Sequence, residues 1–136
     1  MEQIKELEDL LRAFPLWEEG SLQIDSTVPE PGSCGLFSMG TEELSRQEDV
    51  TGNLRLRLRQ RFILRRVFPR GEDAAGWLLQ LQQWLPRNIR YMPGFGLDCV
   101  IRAEKGQLGK TRQPGTDIYE VTVTVDFTKE NENGEN

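Results

Sequence analysis

Along residues 2–14, Ile4, Leu7, Leu11 and Phe14 recur at the spacing of one helical face with Leu10 beside them, so the chain opens on an amphipathic helix. Acids crowd its first turns, where they favour the helix dipole, and Pro15 ends it. Residues 21–28 alternate through Leu22, Ile24 and Val28 as a short strand before Pro29-Glu30-Pro31-Gly32 turns the chain. Residues 35–40 continue the sheet, and the polar stretch 41–49 reads as a loop. From Asn53 the period is two: Leu54, Leu56, Leu58, Phe62 and Leu64 point one way, and Arg55, Arg57, Arg59, Arg61 and Arg65 the other. Extended over residues 53–67, such a strand would reach about 50 Å, so it either bends at a bulge or projects from the domain.

A second helix follows residues 70–73, with Ala74, Trp77, Leu78, Leu81, Trp84 and Leu85 as a broad apolar face ending at Pro86. Two tryptophans seven residues apart on one face belong in a core. Residues 97–104 alternate again, with Leu97, Cys99, Ile101 and Ala103 on the inner side. Residues 106–115 read as a mobile loop. The closing strand sets Tyr119, Val121, Val123, Val125 and Phe127 against Glu120, Thr122, Thr124 and Asp126, and belongs inside the sheet beside the arginine strand. The expected fold is α+β, a mixed, mainly antiparallel sheet packed against two helices. Residues 1–128 would form one domain and residues 129–136 a disordered polar tail.

Composition then narrows function. The 136 residues contain no histidine, so the commonest general base and the commonest zinc ligand are both missing. Ser-His-Asp and Cys-His designs are excluded, and Cys34 and Cys99 alone cannot hold a structural zinc. No catalytic residue, cofactor or metal ligand is assigned. The carboxylate pairs Glu18-Glu19, Glu42-Glu43 and Glu48-Asp49 sit in polar runs where solvated surface is the ordinary reading. Gly106-Gln107-Leu108-Gly109-Lys110-Thr111 ends like a phosphate-binding loop. It fails that pattern, because the first glycine would have to stand at Glu104 and Arg112-Gln113-Pro114-Gly115 does not open a helix. No stretch is apolar enough for a membrane span, and the start lacks a signal peptide's order, so a cytoplasmic chain with reduced thiols is expected.

Net charge is −5, which argues against a generic nucleic-acid binder, yet seven arginines and no acid fall between Leu54 and Arg70. On a strand, Arg55, Arg57, Arg59 and Arg61 stand about 6.6 Å apart on one face. Three readings stay open for them: pairing across strands with acids such as Glu120 and Asp126, a protein interface using those same residues, or contact with nucleic acid.

Three features together resemble the small tail-terminator or minor capsid proteins of siphovirus-like prophages: the leading helix followed by Leu54-Arg55-Leu56-Arg57-Leu58-Arg59-Gln60-Arg61-Phe62, the helix ending in Trp84-Leu85-Pro86, and the strand Tyr119-Glu120-Val121-Thr122-Val123-Thr124-Val125-Asp126-Phe127. The resemblance covers most of the chain in order and spacing, and departs from it in the dense arginine run and in residues 106–115. It implies a non-enzymatic phage structural protein that assembles into a homo-oligomeric ring such as a hexamer. That ring would cap the tail tube and meet tail tube protein and head-tail connector proteins, first in the host cytoplasm and then in the virion. The alternative is a nucleic-acid-binding module using the arginine-lined strand, and an enzyme built on carboxylates ranks last.

Overall fold

The computed structural model describes residues 2–17, 22–24, 33–69, 73–88, 92–96, 98–104, 106–108 and 116–131. In chain order the elements are α1 (Glu2–Arg12), β1 (Leu22–Ile24), β2 (Cys34–Glu48), β3 (Leu54–Pro69), α2 (Ala74–Trp84), 3-10 turns at Leu85–Arg87 and Pro93–Phe95, β4 (Val100–Ala103), β5 (Gln107–Leu108) and β6 (Thr116–Asn131). The sheet runs β1-β2-β3-β6-β4, with β5 also pairing with β6. Among the described residues only β1 with β2 is parallel, so the sheet is mixed and mainly antiparallel and the two helices pack on one of its faces. The α+β expectation holds.

Its backbone is the β3–β6 ladder. All sixteen residues of β3 pair with all sixteen of β6, from Leu54 opposite Asn131 to Pro69 opposite Thr116, with no slip. Because side chains alternate, that register places Phe62 and Leu64 beside Val123 and Val121 on the helix side. The stripe opposite is arginine and acid. Leu7, Leu10 and Leu11 from α1, Phe14 just after it, and Trp77, Leu78 and Leu81 from α2 close over the helix side as one buried cluster. Phe14 and Trp77 meet edge to face at 5.2 Å, as do Phe68 and Trp77 at 5.7 Å, geometries that suit the ring quadrupoles. Asp73 starts α2 by accepting a hydrogen bond from the Gly76 amide at 3.0 Å, and Pro86, which has no amide hydrogen, lies in the 3-10 turn that follows it.

Four differences from the expected outline have physical causes. Residues 41–48, expected as loop, are strand, because β2 follows β3 outward as the second half of a hairpin. Residues 129–131, expected in a disordered tail, pair with Leu54, Arg55 and Leu56 as the end of β6. The strand expected from residue 97 begins at Val100, and Gln107 and Leu108, expected in a loop, pair with β6 as β5. Residues 25–28, 109–115 and 132–136, for which a strand, a loop and a tail were expected, lie outside the described residues. The long strand keeps unbroken register with β6, while its other partner β2 takes up irregularity at residues 38–41 and 43–45. In the first bulge Met39 and Gly40 oppose Arg61, with Gly40 at φ 99°, where a side chain would be strained.

The helix orientation predicts a sharp contrast between two leucines of α2. Leu81 is fully buried and Leu79 is 54% exposed. Leu81→Ala should cost about 2–5 kcal/mol and Leu79→Ala no more than about 0.5 kcal/mol. Urea denaturation of both variants checks this, and equal losses would mean that α2 is rotated on the sheet.

Candidate interaction surface

Two features stand apart from the packed core: the arginine face of β3 and the far end of the hairpin. On the first, the β3–β6 register brings charges far apart in sequence directly opposite one another. Arg59 faces Asp126, Arg65 faces Glu120 and Arg55 faces Glu130. Arg59 donates to both carboxylate oxygens of Asp126, from Nε at 2.7 Å and Nη2 at 2.9 Å, a bidentate fit that suits the planar guanidinium. Arg65 donates to Glu120 at 2.9 Å and lies over the Phe37 ring at 4.9 Å. Arg61 reaches the other way, to Glu42 on β2 at 3.0 Å. Arg57 donates to the Thr128 hydroxyl at 3.0 Å and to the Asp98 backbone oxygen at 3.2 Å, with the Asp98 carboxylate at 3.3 Å. Arg102 on β4 adds a 3.7 Å contact to Asp126, so six arginines of this face share five acids.

All six residues singled out from the sequence, Arg55, Arg57, Arg59, Arg61, Glu120 and Asp126, therefore lie on one sheet face, and cross-strand pairing is the reading the geometry realises. Arg55 differs from its neighbours. Its only ion pair is a 3.7 Å contact with the exposed Glu130, and its side chain makes no hydrogen bond among the described residues. Asp126 is the most enclosed acid of the row, and the hydrogen bonds from Arg59 hold its carboxyl below the usual carboxylate range, against a smaller opposing effect of burial. The Asp98 carboxyl is lowered too, first by the Thr128 hydroxyl and next, against burial, by Arg57.

Sequence reading missed five participants in the row and one arginine off it. Glu42, Asp98, Thr128, Glu130 and Arg102 join the row only through the sheet's register and the approach to β4. Arg66 falls on the helix side, where it is 1% exposed, with its guanidinium 4.7 Å from the Trp77 ring and 5.1 Å from Phe68. Weak hydration and a flat cationic face let arginine sit among aromatic rings as lysine does not. The carboxylate pair Glu42-Glu43 is split by the strand: Glu42 joins the arginine face, and Glu43, opposite Leu58, bonds Arg46 at 2.9 Å on the other. Glu18 and Glu19 lie outside the described residues. Among the described residues no group of three or more Cys, Asp or Glu could hold a metal ion, and no helix is long and apolar enough to cross a membrane.

The second feature is the ribbon made by the outer ends of β2, β3 and β6. The core cluster ends at Leu58 and Phe127, β4 ends opposite Asp126, and β1 covers only Cys34 to Leu36. Beyond those points three strands run on roughly 13 Å to a turn. Every residue of β2 from Ser38 onward is exposed. Asp49 fixes the turn by accepting from the amides of Thr51 and Asn53 and from the Thr51 hydroxyl, which lowers its pKa. Gly52, at φ 86°, supplies the conformation that closes it. An open groove of about 740 Å³ lies at this end, lined by Gln47, Glu48, Asp49, Leu54, Arg55 and Glu130 among others. Compared with protein-family models and with curated proteins, the chain finds no match.

The Arg59–Asp126 pair sets a pH dependence with a definite sign. A carboxyl whose folded-state pKa is lowered adds stability above its ordinary value of about 3.9, and that stability is lost as pH falls through the lowered value. The urea midpoint of the native chain should therefore fall more steeply below roughly pH 5 than that of Asp126→Asn, which should start lower at neutral pH. Parallel acid limbs in the two proteins would contradict the assignment.

Proposed function

We propose that the chain is a non-catalytic assembly subunit, specifically a tail-terminator or head-tail completion protein of a siphovirus-like phage. Made in the host cytoplasm and carried into the virion, it forms a ring that caps the tail tube and meets the head-tail connector. The observation that carries this reading is the ribbon. Three paired strands leave the core with both faces uncovered, and a fixed, extended arm of this kind reaches a neighbour at little cost in conformational entropy.

Area supports a ring over an isolated pair. The projecting strands cover on the order of 200 Å² per face, whereas each partner of a stable complex contributes about 800 Å². A closed ring doubles what each copy buries, because every copy gives its ribbon to one neighbour and receives that of another. The arginine face bears on the alternative, a nucleic-acid module. With each β3 arginine of the stripe already within 4 Å of a carboxylate, a phosphate backbone would have to displace acids as well as counterions.

Mass photometry over a concentration series, alone and with tail-tube protein, should show a discrete oligomer. A monomer under every condition would overturn the proposal. Fluorescence anisotropy with a DNA duplex at 50 and 200 mM salt separates the alternative. Weak binding is expected, and tight binding that weakens steeply with salt and disappears when Arg55, Arg57, Arg59 and Arg61 become glutamine would favour it instead.

A further inference from the structure

Two surfaces of the described chain lack partners, and they match. The first is the helix-side face of the ribbon, where Leu54 and Leu56 are half-buried with no helix above them and Glu48 stands opposite Leu54. In the adjoining groove Asp49 is occupied by the turn and Glu130 by Arg55, so Glu48 is the acid there with no cation within 4 Å among the described residues. The second is the outer ridge of α2 and the 3-10 turn after it, where Leu79, Gln83 and Arg87 follow one another at helical spacing, all exposed. Leu79 is an exposed large apolar side chain in an otherwise well-buried helical layer. Among the exposed described residues only Arg87 and Lys129 are cations without a carboxylate in reach, and Lys129 is on the ribbon itself.

We infer that the ribbon of one copy docks on the α2 ridge of a second copy, Glu48 meeting Arg87 and Leu56 meeting Leu79. The inference rests on the assembly reading and names its contact. Spacing allows it: Leu79 and Arg87 are about 12 Å apart along the helix and Leu56 lies about 7 Å from the row of Glu48 and Leu54, a difference of about 5 Å that the long Arg87 side chain can span. Charge supports it as well, since an uncommitted arginine meets an uncommitted acid while apolar groups cover each other. The contact is heterologous, ribbon to ridge, and so it propagates from copy to copy and can close a ring. The open outer edge of β2 is a poorer seat, because its two bulges and its charges Glu42, Glu43 and Arg46 blunt it against strand addition.

The test is a charge-swap cycle on the full chain, read by sedimentation velocity over a concentration series, with circular dichroism confirming that each variant is folded. Glu48→Arg and Arg87→Glu should each weaken assembly by about tenfold or more, and the double reversal should restore it to within about threefold. Leu79→Asp should weaken it without affecting the charge cycle. Native protein that assembles while the single reversals assemble equally well overturns this contact and leaves the assembly reading standing. A double reversal that stays as weak as the singles also overturns it. Native protein that stays monomeric at every concentration, alone and with tail-tube protein, overturns both.

Discussion

One constraint organises this molecule: the β3–β6 ladder, sixteen pairs long and without a slip. Side chains alternate along a strand, so a shift of one residue would turn either Phe62 and Leu64 or Val121 and Val123 to solvent and bury the charges of that strand. The apolar core and the cross-strand ion pairs demand the same register. Arg59 on Asp126 and Arg65 on Glu120 add little energy individually at a partly exposed face. Their weight lies in specificity, since a one-residue slip would set arginines of this row against residues such as valine, phenylalanine and lysine.

The same ladder explains how a small core can support a long arm. The helices cover only the part of the sheet that Leu58 and Phe127 bound, yet the hydrogen-bond ladder continues past that point on backbone pairing alone. A central strand bonded on both sides holds its shape without a buried face. The bulges fall in β2, the outer strand, where they add twist and interrupt an edge that would otherwise invite nonspecific pairing. Order within the ribbon and uncovered surface on it therefore arise from one arrangement.

Much of this was legible in the sequence, and the parts that were not share a cause. Period-two alternation exposed β3 and the middle of β6 because one face of each is buried, and helical spacing exposed α1 and α2 for the same reason. Residues 41–48 gave no alternation because both of their faces meet solvent; only their pairing with β3 makes them strand. Lys129 and Glu130 were hidden in the same way at the end of β6. Arg66 escaped notice because it sits next to the arginine stripe in sequence and on the opposite side of the sheet in space, where rings of Phe68 and Trp77 accept it. Of the candidate surface, the arginines and two of their acids could be read directly. Glu42, Asp98 and Glu130 join them only through the register and the approach to β4.

Amide hydrogen exchange along β3, followed residue by residue in dilute protein, tests the central claim most directly. If the ladder holds from core to tip, the amides from Leu54 to Gln60 exchange slowly, in step with those from Phe62 to Phe68. Exchange of the Leu54 to Gln60 amides within seconds, beside a protected core, would show that the strand frays at the core boundary and that the chain carries no fixed arm.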